Sequence, residues 1–415
     1  DLIVTGVQTC ALPILLFDFP VKDPFVELVK SSMNTFLNAM TYPDKTIYPV
    51  ASCNRKDFEN LMHVYLDAVF APTVLTDPNI FYQEGWHYEM NSPDEPLMIN
   101  GVVFNEMKGA LSAVDETIYN TLNRMIYPDS EYRFISGGDP VHIPELTYEE
   151  FIRTHTRFYH PSNAKIWLDG DVDIDEALSL INDEYLSRYE YRQADFGFTR
   201  QAIRQGKTCR EEYEVTPDQG TEGMSYYEEA RLLCDYDDLK TQLAFQLIGT
   251  VLTESNDAPL TKMILEKGLG HDVSLSVADE VYQPMLVLDV RNTDPEKFPL
   301  IAEELKNFFR RIAAEGLDHR KVRACLNVLE FGEREKGEPA GLMNARDALR
   351  SWNYGGDPAM YLDLGDLFKK MRQAVDEGYL EELLKETMLD EEHLSVLELV
   401  PSLTLGQNRL NDEAR

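Results

Sequence analysis

The sequence predicts an α+β protein of two tandem domains, and three observations carry that expectation. The chain has 415 residues, 43% of them hydrophobic, which is enough for two or three domains with a core each. Helical and extended patterns alternate along it, most clearly in "TYEEFIRTHTRFYHPSNAKIWLDGDVDIDEALSLINDEYL". Apolar periodicity then lapses in "DFGFTRQAIRQGK", between Phe196 and Gly206, just before the strand-like "REEYEVT". A second domain is expected to begin there.

The elements follow in chain order. Phe25, Val26, Leu28, Val29, Met33 and Phe36 have the spacing of an amphipathic helix entered through Pro24. Asn38 to Val50, with Tyr-Pro twice, predicts extended chain. "NRKDFENLMHVYLDAVF" predicts a helix with Asn54 as its N-cap and Phe58, Leu61, Met62, Tyr65 and Leu66 on one face. Turn chemistry at Thr76 to Asn79 leads into "FYQEGWHYEM", a short helix running into a strand with Trp86, Tyr88 and Met90. "INGVVFNEMKGALSAVDETIYNTLNRMIYP" predicts two helical stretches around Ser112. After the helix that Pro161 stops come a buried strand from Ala164 to Leu168 and another helix. Past the boundary, helices are expected at Leu239 to Leu252, Pro299 to Ala314 and Arg320 to Arg334. Strands are expected at Val273 to Val277 and Met285 to Val290, and an acidic helical stretch with the strand "LSVLELV" closes the domain. "GGDP", at Gly137 and again at Gly355, is explained by turns, and no Gly-rich phosphate loop is present.

Charge is the extreme value. Acidic residues number 73 and basic ones 39, a net −34, which repels nucleic acid and anionic lipid and favours cationic partners. Five cysteines without a C-x-x-C pair argue against a disulfide framework and fit a reducing compartment. His63 has no partner His at i+4, and His155 and His160 are five apart on the helix before Pro161, so all three are expected to pack or face solvent. Asp1 to Ile14 carries no Lys or Arg, unlike a secretory signal, and Asp18 interrupts the apolar run too early for a membrane span.

Six blocks in order, "FPVKDPFVELVKSSMNTFLNAMTYPDKTIYPVASCN", "QEGWHYEM", "GVVFNEMKGA", "SGGDP", "LTYEEF" and "FYHPSNA", resemble the presequence proteases. These are a branch of the insulinase-like (pitrilysin) zinc metallopeptidases. The likeness runs from Phe19 nearly to the end of the chain. It implies two α+β domains, each a mixed or antiparallel sheet covered by helices, at 15–205 and 206–405, with 406–415 leading into a connector.

The resemblance also implies a site. The family holds zinc through a His-x-x-Glu-His helix and a downstream Glu in "NEMKG", which here is Glu106. Residues i and i+4 share a helix face, a distant carboxylate completes three ligands, and the intervening Glu acts as general base on the metal-bound water. Carrying the register back from Phe19 puts the first His at Gly6, the base at Thr9 and the second His at Cys10. None of the three can serve, so the chain as given is expected to be inactive. "VTGVQTCALPI" resembles the translation of a sequencing-adapter oligonucleotide, and residues 1–14 are expected to be an artefact that replaces the metal helix. The other explanation is a non-catalytic insulinase-like subunit that binds peptides or serves as a scaffold.

Family members are nearly twice this long, and two halves close around a chamber. The chain is therefore expected to be the first half, lacking an Arg and a Tyr that the second half supplies, and to be poorly soluble alone. The resemblance places Asn38 and Ala39 on an edge strand that pairs with extended substrate. It implies unfolded peptide substrates, and the acidic charge favours basic ones such as cleaved presequences. The family occurs in mitochondria, chloroplasts and bacterial cytoplasm, and the bacterial compartment is expected here.

Overall fold

The computed structural model describes residues 2–6, 32–95, 97–193, 197–335, 337 and 339–413. The chain divides into two compact units, each α+β. The first holds Asp1–Leu111, Phe134–Gly197 and Gly337–Arg346, and the second holds Ser112–Arg133, Phe198–Lys336 and Asp347–Arg415.

The first unit is built on an antiparallel sheet. Its strands are β1 (Leu2–Gly6), β2 (Asn34–Leu37), β3 (Met40–Thr41), β4 (Thr46–Ser52) and β7 (Lys165–Leu168), in the order β2-β4-β1-β7 with β3 also on β4. Residues 24–31 of the expected amphipathic helix lie outside the described residues. Its end does not continue the helix, because Asn34 and Phe36 pair with Ser52 and Ala51 as part of β2. Helix α1 (Arg55–Phe70) forms as expected, and Asn54 accepts the Asp57 N–H at 3.0 Å as its N-cap. Its apolar face, with Leu61, Met62, Tyr65 and Leu66 all at most 1% exposed, joins Tyr48, Val50, Tyr159 and Ile181 in one core.

Helix α2 (Pro78–Glu84) starts on an Asp77 cap with Pro78 in its first turn and leads into the ribbon β5 (His87–Glu89) and β6 (Met98–Asn100). Helix α3 (Val102–Ala110) follows. Across Ser112, helix α4 (Val114–Ile126) belongs to the second unit. A Thr147–Glu150 capping box opens α5 (Tyr148–Phe158). After β7 comes α6 (Ile174–Leu180).

The histidines take structural roles. His63 Nδ1 lies 3.1 Å from the Tyr185 hydroxyl, and His155 stacks on Tyr159 at 4.3 Å between ring centroids. Burial pushes the His155 pKa down to about 4, so that ring is neutral at physiological pH. His160 is not on the helix: it follows the α5 C-cap, and its ring nitrogen accepts the Ser162 N–H at 3.2 Å.

The second unit carries a five-stranded sheet: β8 (Thr208–Glu214), β9 (Ser225–Leu232), β10 (Asp272–Ala278), β11 (Met285–Thr293) and β12 (Ser395–Ser402). Their order is β10-β11-β9-β12-β8, antiparallel except for the β12–β8 pair. Both faces are covered. On one, α7 (Leu239–Thr253), α8 (Pro259–Glu266), α9 (Phe298–Glu315) and α10 (His319–Arg334) pack over Leu275, Leu286, Leu288 and Val290. Helix α11 (Ala340–Trp352) comes next in the chain, and α12 (Gly365–Asp376) and α13 (Tyr379–Met388) complete that layer. On the other face, Ile118, Leu122 and Ile126 of α4 pack over Tyr213, Tyr226, Ala230, Leu397 and Leu399. Helix α14 (Leu405–Glu413) ends the described chain.

Two constraints in this unit are testable. Gly249 of α7 lies so close to β10 that an added Cβ would sit 2.0 Å from the Leu275 carbonyl oxygen. Glu228, 0% exposed, stands opposite Asp289 in the β9–β11 register, where a protonated Glu228 carboxyl can donate to the Asp289 carboxylate. Burial first, and the facing Asp289 carboxylate second, raise the Glu228 pKa well above the carboxylate range, against the opposing pull of Arg291. Arg291 bonds Asp289 through Nε and reaches Asp115 of α4 at 2.9 Å.

Gly249→Ala is expected to cost about 1–3 kcal/mol of stability in urea unfolding, since backbone must move to admit a methyl group. Glu228 keeps its proton in the fold and releases it more readily when unfolded. Its contribution is therefore complete below the unfolded carboxylate pKa and is lost as pH rises through the raised folded value. Glu228→Gln, which needs no proton, is expected to raise thermal stability near neutral pH and to flatten its decline with increasing pH. A steeper decline in the variant would contradict this.

Candidate functional site

The edge of the first sheet is a single extended run, residues 34–41, interrupted by one residue on its neighbour. Leu37 pairs with Val50 and Met40 with Ile47, so the register is continuous and sets Asn38 opposite Pro49. Asn38 donates its N–H to the Pro49 carbonyl at 3.1 Å. Proline has no N–H to return, so the second bond of that pair cannot form. For this reason the run breaks between β2 and β3 at Asn38 and Ala39.

The Asn38 carbonyl finds a donor from another direction. Tyr65, 0% exposed on α1, gives it the phenolic hydrogen at 3.3 Å. Burial raises the Tyr65 pKa above the ordinary phenol value, which keeps that hydrogen in place. Outward from the sheet, the Ala39 N–H donates to the Asn38 side-chain oxygen at 2.8 Å. The turn that follows is closed by Tyr42 N–H to the Lys45 carbonyl at 2.8 Å. The side of Leu37 and Ala39 away from β4 pairs with no other strand among the described residues.

Glu106 lies on α3, as the sequence implies. The helix is placed by its own first turn: Asn100 accepts the Gly101 N–H at 2.8 Å and the Asn105 amide at 2.6 Å. Gly101, at φ 155°, lies where a Cβ would meet the Gly85 carbonyl oxygen at 2.2 Å. Val103 and Phe104 turn inward to Ile143, with Trp86, Ile99 and Met107 packed around them. Glu106 is exposed on the other side, and its carboxylate makes no hydrogen bond or ion pair among the described residues.

Of the other expected metal positions, only Gly6 is among the described residues. Gly6 is the last residue of β1 and pairs with Thr46, on a strand rather than a helix, and it has no side chain to offer. Thr9 and Cys10 lie outside the described residues. No group of three His, Cys, Asp or Glu able to hold a metal occurs among the described residues. A catalytic zinc site needs three protein ligands. One exposed carboxylate does not fit that need. No described helix is long and apolar enough to cross a membrane.

The family resemblance put forward Asn38, Ala39 and Glu106 as candidates, and the parts that Pro49 and Tyr65 play at the edge come from the folded sheet. Pro49 had a signal, a proline inside "TIYPVAS", an otherwise buried central strand, and Tyr65 had none beyond its place on the apolar face of α1.

Comparison with known proteins places these features in a family. A family model described as the Peptidase M16 inactive domain matches residues 145–329. Protein HypA of Clostridium perfringens is 39% identical over 397 residues, 94% of this chain and 41% of that protein. Presequence protease 1, chloroplastic/mitochondrial, of Arabidopsis thaliana is 37% identical over 398 residues, 92% of this chain and 36% of that protein. The chain thus spans about two fifths of the length of the curated relatives it matches. Among solved structures, the peptidase M16 inactive domain from Pseudomonas fluorescens superposes with a TM-score of 0.69 at 15% identity, covering 97% of this chain and 92% of that one. Pitrilysin gives a TM-score of 0.64 at 13% identity over 97% of this chain and 42% of its own. The order of strands and helices, the "NEMKG" helix and these likenesses agree: the chain belongs to the presequence-protease branch of the insulinase-like, M16, peptidase family and corresponds to its amino-terminal half.

Proposed function

We propose that this chain is the peptide-receiving part of a peptidase that degrades short, unstructured, basic peptides, and that the chain as given holds such peptides without cutting them. The observation that carries the reading is the outward edge at Leu37 and Ala39, whose main-chain groups face away from β4 and can take an extended chain as an added strand. Main-chain pairing reads little side-chain identity, which suits many unrelated substrates. The net charge of −34 favours cationic ones.

In this reading Glu106 is one ligand of a zinc site whose two histidines and general base would occupy positions 6, 9 and 10. Gly6, Thr9 and Cys10 offer no imidazole and no carboxylate, so neither metal capture nor activation of water follows from the residues present. Residues 15–205 then act as the metal-site domain and 206–405 as its companion, with the remaining half of the protein as partner. The relatives include a bacterial protein and presequence proteases of mitochondria and chloroplasts, and we place this one in a bacterial cytoplasm.

A second reading shares the binding edge but gives the protein no hydrolytic role in any form. The sequence contains no His-x-x-Glu-His motif, which is what favours it for this chain.

Three outcomes are expected of the 415-residue protein. After dialysis against zinc it retains far less than one ion per chain by mass spectrometry, and it leaves a fluorogenic basic peptide uncut. It binds a labelled basic peptide roughly tenfold tighter than an acidic one of equal length at low ionic strength, and the gap narrows in high salt. Stoichiometric zinc would contradict the metal reading, and equal binding of the two peptides would remove charge from the account.

A further inference from the structure

We propose that the Asn38 side chain is an internal stand-in for a peptide carbonyl, occupying the Ala39 N–H until an extended chain displaces it. The inference rests on the edge reading above and adds a gate to it. Antiparallel pairing sends the main-chain groups of successive residues alternately inward and outward. Asn38 directs its N–H inward to Pro49, so the Ala39 N–H points to the side that an added strand would occupy. It is held there by Asn38 Oδ1 at 2.8 Å, the length of a normal ladder bond.

Three features suit Asn38 to this work. Its amide oxygen is an acceptor of the same kind as a peptide carbonyl, and the short side chain reaches the next residue's N–H. Its main chain is anchored on the other side, N–H to Pro49 and carbonyl to the Tyr65 phenol, so the side chain can turn about χ1 without moving the strand. The side chain is exposed, so turning it out to water breaks no packing. Filling the outward N–H also blunts an edge that would otherwise template pairing between copies of the chain. A peptide therefore exchanges one hydrogen bond for another at Ala39, and the Asn38 amide lowers affinity by competing for the same donor.

The test uses the 415-residue chain and a fluorescein-labelled, unstructured peptide rich in Arg and Lys, with binding read by anisotropy. Asn38→Ala removes the competitor and is expected to bind about three- to tenfold tighter, the fold-change equivalent of one net hydrogen bond. Ala39→Pro removes the outward N–H itself at a position where an edge strand tolerates proline, and is expected to abolish binding. If Ala39→Pro abolishes binding and Asn38→Ala binds no tighter than the parent, the stand-in role is overturned while the edge reading survives. If Ala39→Pro leaves affinity unchanged, the peptide binds elsewhere and both fall. Circular dichroism melts of the two variants establish that each is folded under the binding conditions.

Discussion

A missing hydrogen organises the edge of the first unit. Pro49 lies inside a central strand, where an N–H would normally be returned to the neighbouring chain. Because it has none, Asn38 sends its carbonyl to a buried phenol on α1, and the extended run from Asn34 to Thr41 divides in two at that residue. Tyr65 in turn has to be buried, uncharged and aimed at the edge, which ties the register of the strand to the packing of the helix. Here the core and the candidate binding surface are one structure.

Charge acts on a longer scale than these contacts. Most of the acidic excess is solvated and sets a field that favours cationic ligands and disfavours nucleic acid. A few carboxyls are buried instead. Glu228 is held protonated by burial and by its cross-strand neighbour, while Asp289 is bonded to Arg291, which also reaches α4. These groups are costly unless paired or neutral, and the register of β9 and β11 supplies both solutions side by side.

Elements with strong local signals were legible in the sequence. Helix α1 with its Asn54 cap, the division of α3 from α4 around Ser112, and the helix–strand–helix order about Pro161 all form where the apolar spacing and breakers put them. Strand β9 was not foreseen, because "SYYEEARL" looks polar although seven of its eight residues are buried. Glu229 and Arg231 pair with each other at 3.5 Å, and burial beside Asp289 of the neighbouring strand holds Glu228 neutral, a burial that no local window shows. Helices α11 and α12 were missed as well, and Phe36 was assigned to a helix although pairing with β4 makes it strand. In both directions tertiary contacts overrode local pattern. At the site, motif resemblance supplied Glu106, Asn38 and Ala39. The roles of Pro49 and Tyr65 needed the register of the folded sheet, since Asn38 and Tyr65 are 27 residues apart in sequence.

The proposed joining of an extended peptide to the first sheet at Leu37 and Ala39 is open to measurement residue by residue. Residue-resolved amide hydrogen exchange, with and without a saturating unstructured basic peptide, tests it most directly. Added peptide is expected to slow exchange at the Leu37 and Ala39 amides and to leave Asn38, already bonded to Pro49, nearly unchanged. Slowed exchange confined to other segments, with Leu37 and Ala39 unaltered, would contradict it.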